Sequence, residues 1–181
     1  KEREELEKLL EEVERDVARL NKEDKDLVDE IRRRVDELVK RDKELLDRVR
    51  DRLRELSERG DLDERVEEKL ERVLRESEKI TREIRERVRE VLRESEKISE
   101  EIVRRARKVI EEIERLLRKV TDSRVIEKVK RDLRRVLEEL RRLAEENNRR
   151  LDKALKELED LVRKNNKKVE DALRKIEEEV R

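Results

Sequence analysis

Val73-Leu74-Arg75-Glu76-Ser77-Glu78-Lys79-Ile80-Thr81 recurs eighteen residues later as Val91-Leu92-Arg93-Glu94-Ser95-Glu96-Lys97-Ile98-Ser99. Eighteen residues over five turns is 3.6 residues per turn, the period of an unstrained α-helix, whereas a heptad at 3.5 imposes a left-handed supercoil. Apolar residues recur at helical intervals within each copy, so the stretch reads as part of a long, nearly straight helix with one apolar face. The period extends outward in both directions. Asn147-Asn148 returns as Asn165-Asn166, with Ala154/Ala172, Leu155/Leu173 and Leu158/Ile176 keeping step. Towards the N-terminus, Val13/Ile31/Val49, Leu20/Leu38/Leu56, Leu27/Leu45 and Asp24/Asp42 follow the same spacing.

Two short stretches interrupt the pattern. In Ser57-Glu58-Arg59-Gly60-Asp61-Leu62-Asp63-Glu64, Gly60 suits the left-handed position just past a helix C-terminus. Asp61 then reads as an N-cap, with Glu64 three residues on completing a capping box. In Val120-Thr121-Asp122-Ser123-Arg124, three short polar side chains compete for backbone groups, and Asp122 or Ser123 is the expected next cap. Helices are therefore expected over about 2–59, 62–120 and 124–180, and connections this short force neighbours antiparallel. The predicted fold is all-α: a single-chain up-down-up three-helix bundle of long, nearly straight antiparallel helices, one domain over residues 1–181.

Composition narrows the chemistry. The chain has 55 Lys plus Arg against 55 Asp plus Glu, and it lacks His, Cys, Met, Pro, Phe, Tyr and Trp. Zero net charge and regular apolar spacing separate it from disordered chains of similar polarity. Without Cys there is no disulfide or thiolate nucleophile, and without His the commonest general base and metal ligand are missing. Without aromatics there is no platform on which bases could stack. No apolar run approaches the roughly 18–20 residues of a membrane span, and Lys1-Glu2-Arg3 does not open as a signal peptide. The basic runs Arg32-Arg33-Arg34, Arg104-Arg105, Arg163-Lys164 and Lys167-Lys168 have acidic neighbours and read as solvated helix faces rather than nucleic-acid or lipid contacts. The apolar arcs, about 120–140° wide at ~100° per residue, suit two neighbours per helix and point to a monomer.

Several polar residues fall on those arcs. They are Asp24 and Asp42 with Asn21 at the flank, then Ser77, Thr81, Ser95 and Ser99, then Asn147, Asn148, Asn165 and Asn166. With the first turn at Gly60, residue i of the first helix faces about 121 − i of the second. For the second and third helices, facing residue numbers add to about 244. Two layers result: Asp24, Ser95, Ser99, Asn147 and Asn148, and Asp42, Ser77, Thr81, Asn165 and Asn166. A buried carboxylate only accepts hydrogen bonds, while Asn, Ser and Thr supply donors. The layers are therefore expected to be connected networks that fix helix register, at some loss of stability against an all-Leu core. One carboxylate per layer is poor for Mg²⁺ or Ca²⁺, and the di-metal sites of helical bundles need His as well as Glu. No catalytic residue, cofactor site or metal site is expected.

The Asn-Asn pairs, the Ser-x-x-x-Ser/Thr pairs, the Arg/Glu/Lys surface and the Gly60-Asp61-Leu62-Asp63-Glu64 loop resemble de novo designed helical bundles with buried hydrogen-bond networks. The resemblance covers the whole chain and is one of style, not of a catalytic motif. It accords with repetition this close in three helices at once. Up-down-up topology is also shared with spectrin-like repeats, but the core aromatics and irregular heptads of that family are missing. The resemblance implies a rigid scaffold without natural activity, soluble in the cytoplasm of an expression host and needing no partner. The alternative it implies is an interaction module, either a subunit of a helical assembly or a cage with an exchangeable helix.

Overall fold

The computed structural model describes residues 2–119 and 122–180. The chain is an all-α three-helix bundle. Helix α1 spans Glu2–Glu58, α2 spans Glu64–Lys119 and α3 spans Ser123–Val180, and no strand occurs among the described residues. The helices begin and end within two residues of the positions expected from the sequence, apart from the end of α2, where Val120 and Thr121 lie outside the described residues.

The first connection is built as its glycine requires. Gly60 has φ +72°, a conformation that costs a residue with a Cβ about 1–2 kcal/mol. Its amide donates to the Ser57 carbonyl at 3.1 Å, and the Asp61 amide reaches the Leu56 carbonyl at 3.1 Å. Together these satisfy two of the orphan carbonyls at the end of α1, in the Schellman arrangement. The expected cap at Asp61 is corrected to Asp63: its side chain accepts from the Arg65 amide at 3.5 Å, and its carbonyl accepts from Glu67 at 3.0 Å. The physical reason is Leu62, which turns in to pack on the core of this end and keeps the chain non-helical for two more residues. Glu64 thereby becomes the first helical residue and cannot close a capping box on Asp61. At the second connection Asp122 is the cap, its carboxylate taking the Arg124 amide at 3.1 Å. Acidic Glu64 and Glu67 in the first turn of α2, and basic Arg118 and Lys119 in its last, complement the helix dipole.

The chain packs as two compact units, each containing a length of all three helices. One comprises Lys1–Asp29 and Leu92–Asp152, the other Glu30–Val91 and Lys153–Arg181. The first buries Leu6, Val13, Ile102, Leu133 and Leu140 at its core, together with the small Ala106 and Ala144. The second buries Leu45, Val49, Leu56, Leu70, Val169 and Ile176. A fully buried Leu, Ile or Val contributes roughly 1.5–3 kcal/mol each, so these layers supply most of the driving force.

Ion pairs brace the α1–α3 side of each unit. In the first unit Asp16 pairs with Arg141, and Lys130 Nζ reaches Glu5 at 2.6 Å. In the second, Arg34 pairs with Glu159 at 3.5 Å and Arg52 with Glu177 at 2.6 Å. The partners are 125 residues apart in each case, which sets α1 and α3 parallel. Arg52 grips Glu177 through two nitrogens, and this bidentate bond holds its guanidinium more firmly protonated than usual.

Candidate functional site: two buried polar layers

Asp24 sits on the buried face of α1 and is the hub of the first layer. Ser95 of α2 donates to its Oδ1 at 3.2 Å, and Asn147 Nδ2 of α3 reaches the same oxygen at 2.9 Å. Ser99 Oγ donates to Oδ2. Asn147 Nδ2 also lies 3.0 Å from Ser95 Oγ, closing a ring of contacts that touches all three helices. Asp24, Ser95 and Asn147 are buried and Ser99 is half-buried. The α2 spacing explains how one carboxylate meets two hydroxyls: residues four apart stack on one helix face. Asn148 is on the same level but does not join. It is half-buried, and its Oδ1 has no protein partner.

The second layer repeats the residue types with looser contacts. Thr81 Oγ1 lies 2.6 Å from Asp42 Oδ2 and 3.0 Å from the Ser77 carbonyl. With one hydroxyl proton, Thr81 can donate fully to only one of these. Asn165 Nδ2 stands 3.4 Å from both Asp42 Oδ1 and the Ser77 carbonyl, at the long end of hydrogen bonding. Ser77 therefore takes part through its backbone, while its Oγ has no protein partner although the residue is buried. Asn166 Oδ1 is buried and unpartnered, as Asn148 Oδ1 is. Burial pushes the Asp42 carboxyl above the usual carboxylate range, against the opposing pull of the Thr81 hydrogen bond and the Arg85 charge.

Of the ten residues placed in layers from the sequence, the structure joins Asp24, Ser95, Ser99 and Asn147 by side chains in one set. It joins Asp42, Thr81 and Asn165 by side chains in the other. Asn21 lines a shallow surface groove beside Ser99 and Val103, outside the Asp24 network. Sequence reasoning missed Lys130, whose side chain is only 7% exposed while Glu5 is largely exposed. Its ammonium is held by Glu5 at 2.6 Å and by Glu127 of the same helix at 3.4 Å. The signal was there: Lys130 falls on the apolar side of α3, eighteen residues before Asn148.

Each layer holds a single carboxylate ringed by neutral donors. Among the described residues no group of three or more His, Cys, Asp or Glu is arranged to hold a metal ion, and no helix is long and apolar enough to cross a membrane. Neither family models, curated proteins nor solved structures give a match to this chain.

Proposed function

We propose that this chain is a designed structural scaffold, a rigid helical bundle in which the two polar layers fix the register of its helices, with no catalytic role, cofactor, nucleic-acid or membrane partner. The observation that carries the reading is the Asp24 network. Four side chains from three helices satisfy one another at a level where Leu would stabilise more. Such an arrangement penalises wrong pairings, because a slip of one turn leaves a carboxylate buried without donors.

The test is a variant with apolar residues at Asp24, Ser95, Ser99 and Asn147 and at their counterparts Asp42, Ser77, Thr81 and Asn165. It should melt higher than the parent but give broadened or doubled amide resonances. A single sharp resonance set, with the parent's helix pairing, removes the register role. The interaction-module reading has one observation of its own in its favour: two large apolar side chains stand exposed, Leu116 at 42% and Leu161 at 39%.

A further inference from the structure

Within the second unit a groove of about 510 Å³ runs between α2 and α3. That volume falls in the roughly 300–1,000 Å³ range of small-molecule sites. Ser77 and Asn165 meet across it, which sets the register: residues whose numbers add to 242 lie level. Val73 is then level with Val169, Leu70 with Ala172 and Val66 with Ile176, and all six line the groove. One polar rung is thus followed by three apolar ones. From Ser77 to Val66 the run covers eleven residues, roughly 16 Å of helix. Leu70, Val169 and Ile176 are buried, while Val66, Val73 and the small Ala172 are half-buried.

The polar rung is incomplete. Ser77 is part of the lining and only 2% exposed, yet its Oγ has no protein partner. An unmade bond at a buried hydroxyl is unfavourable, so a guest that supplies one gains more than the contact alone. A serine side chain has three staggered positions for its hydroxyl, and no bond holds Ser77 Oγ in its present one, so it can meet a partner offered from the groove. The equivalent residue of the first unit has nothing to offer, because Ser95 Oγ already donates to Asp24.

We propose that this groove binds an uncharged medium-chain amphiphile, an aliphatic alcohol, with its hydroxyl on Ser77 Oγ and its chain along the three apolar rungs. A hydroxyl both donates and accepts, so it pairs with Ser77 whichever of the two gives its proton. A carboxylate head is disfavoured by Asp42, which belongs to the same layer: Asn165 Nδ2 stands 3.4 Å from its Oδ1 and 3.4 Å from the Ser77 carbonyl. An ammonium head fails for another reason. It would leave water for an apolar floor and one hydroxyl acceptor, with Asp42 already taken by Thr81 and Asn165. The lining charges Lys69, Glu76, Lys168 and Asp171 are of both signs and select neither. Burial of the chain supplies affinity, and the Ser77 hydroxyl supplies orientation. This goes beyond the scaffold reading, which rests on the Asp24 network in the other unit.

Titrating the full chain with decanol should shift the methyl resonances of Leu70, Val73, Val169 and Ala172. Those of Leu6, Val13 and Leu133 in the first unit should stay where they are. Ser77→Ala loses no protein hydrogen bond and should keep the fold, but it should weaken decanol binding roughly threefold to tenfold. Ala172→Leu fills the middle of the groove and should abolish binding, with unchanged helical circular dichroism as the check on folding. Decanoate and decylamine should each bind more weakly than decanol. No methyl shift up to the solubility of decanol overturns the proposal. So does equal affinity in Ser77→Ala, undiminished binding in Ala172→Leu, or tighter binding of decanoate or decylamine than of decanol.

Discussion

Ser77 and Ser95 occupy the same place in successive copies of one repeat, and both are all but fully buried, at 2% and 1% exposure. Yet only Ser95 has a partner for its hydroxyl. The divergence lies in the Asn across the core: Asn147 turns to Ser95 Oγ and Asp24 at 3.0 and 2.9 Å, whereas Asn165 turns to the Ser77 carbonyl and stands 3.4 Å from Asp42. Identical sequence positions thus have different energetic weight.

Substituting the two serines should make that difference measurable. Ser95→Ala strips a donor from Asp24 and an acceptor from Asn147, and should destabilise by about 1–3 kcal/mol. Ser77→Ala removes a hydroxyl with no protein partner and should shift stability by less than about 0.5 kcal/mol, or raise it. Guanidinium melts of both variants give the comparison. Equal losses would mean that the second layer is as tightly satisfied as the first.

Asp42 should reveal itself through pH. Its folded pKa is raised, chiefly by burial, so ionising it costs the folded chain more than the unfolded one. Its contribution is most favourable below the ordinary value of 3.8 and is lost as pH rises through the elevated folded value. An Asp42→Asn variant carries no charge at that position at any pH. Its stability relative to the parent should therefore be greatest near neutrality and shrink as pH falls towards about 4. Denaturant melts of both chains across that range measure it. A difference that stays flat would show that hydrogen bonding cancels desolvation at Asp42, and one that widens in acid that it outweighs it.

What could be read from the sequence, and what could not, divides along physical lines. Helix limits and the alignment of polar residues across helices depend on period and turn position, and these are written in the spacing of Leu, Val, Asn and Asp. Asp24 with Ser95, Ser99 and Asn147 follows from that arithmetic. Which Asn of a pair turns inward does not, because Asn147 and Asn148 differ by 100° around α3 and both fall on its apolar arc. The turn was legible in kind but not in detail. Gly60 announced the left-handed residue, but Asp61 and Asp63 are equally good caps on paper, and only the packing of half-buried Leu62 on the core chooses between them.

That choice makes its own prediction. Asp63→Ala removes the side-chain acceptor for the Arg65 amide and should cost about 0.5–2 kcal/mol. Asp61→Ala should be near neutral, since the Asp61 contact at the turn is made by its backbone amide. Gly60→Ala meets no atom within 4 Å, so its penalty is conformational, about 1–2 kcal/mol. Thermal or chemical melts rank the three. A larger loss for Asp61→Ala than for Asp63→Ala would return the cap to Asp61.

The sharpest discriminator between the layers is a pair of double-mutant cycles. In the first layer, Ser95→Ala and Asn147→Leu remove two ends of one contact, and each also withdraws a donor from Asp24. Once one is gone the other has less to lose, so the double variant should be less destabilised than the two losses combined, with a coupling of roughly 0.5–3 kcal/mol. In the second layer, Ser77→Ala leaves the carbonyl that Asn165 uses untouched. Ser77→Ala with Asn165→Leu should therefore be additive to within about 0.5 kcal/mol. Additivity in the first cycle would mean that Asp24, Ser95 and Asn147 contribute independently and do not act as a network. Strong coupling in the second would place the Ser77 hydroxyl, rather than its carbonyl, in contact with Asn165.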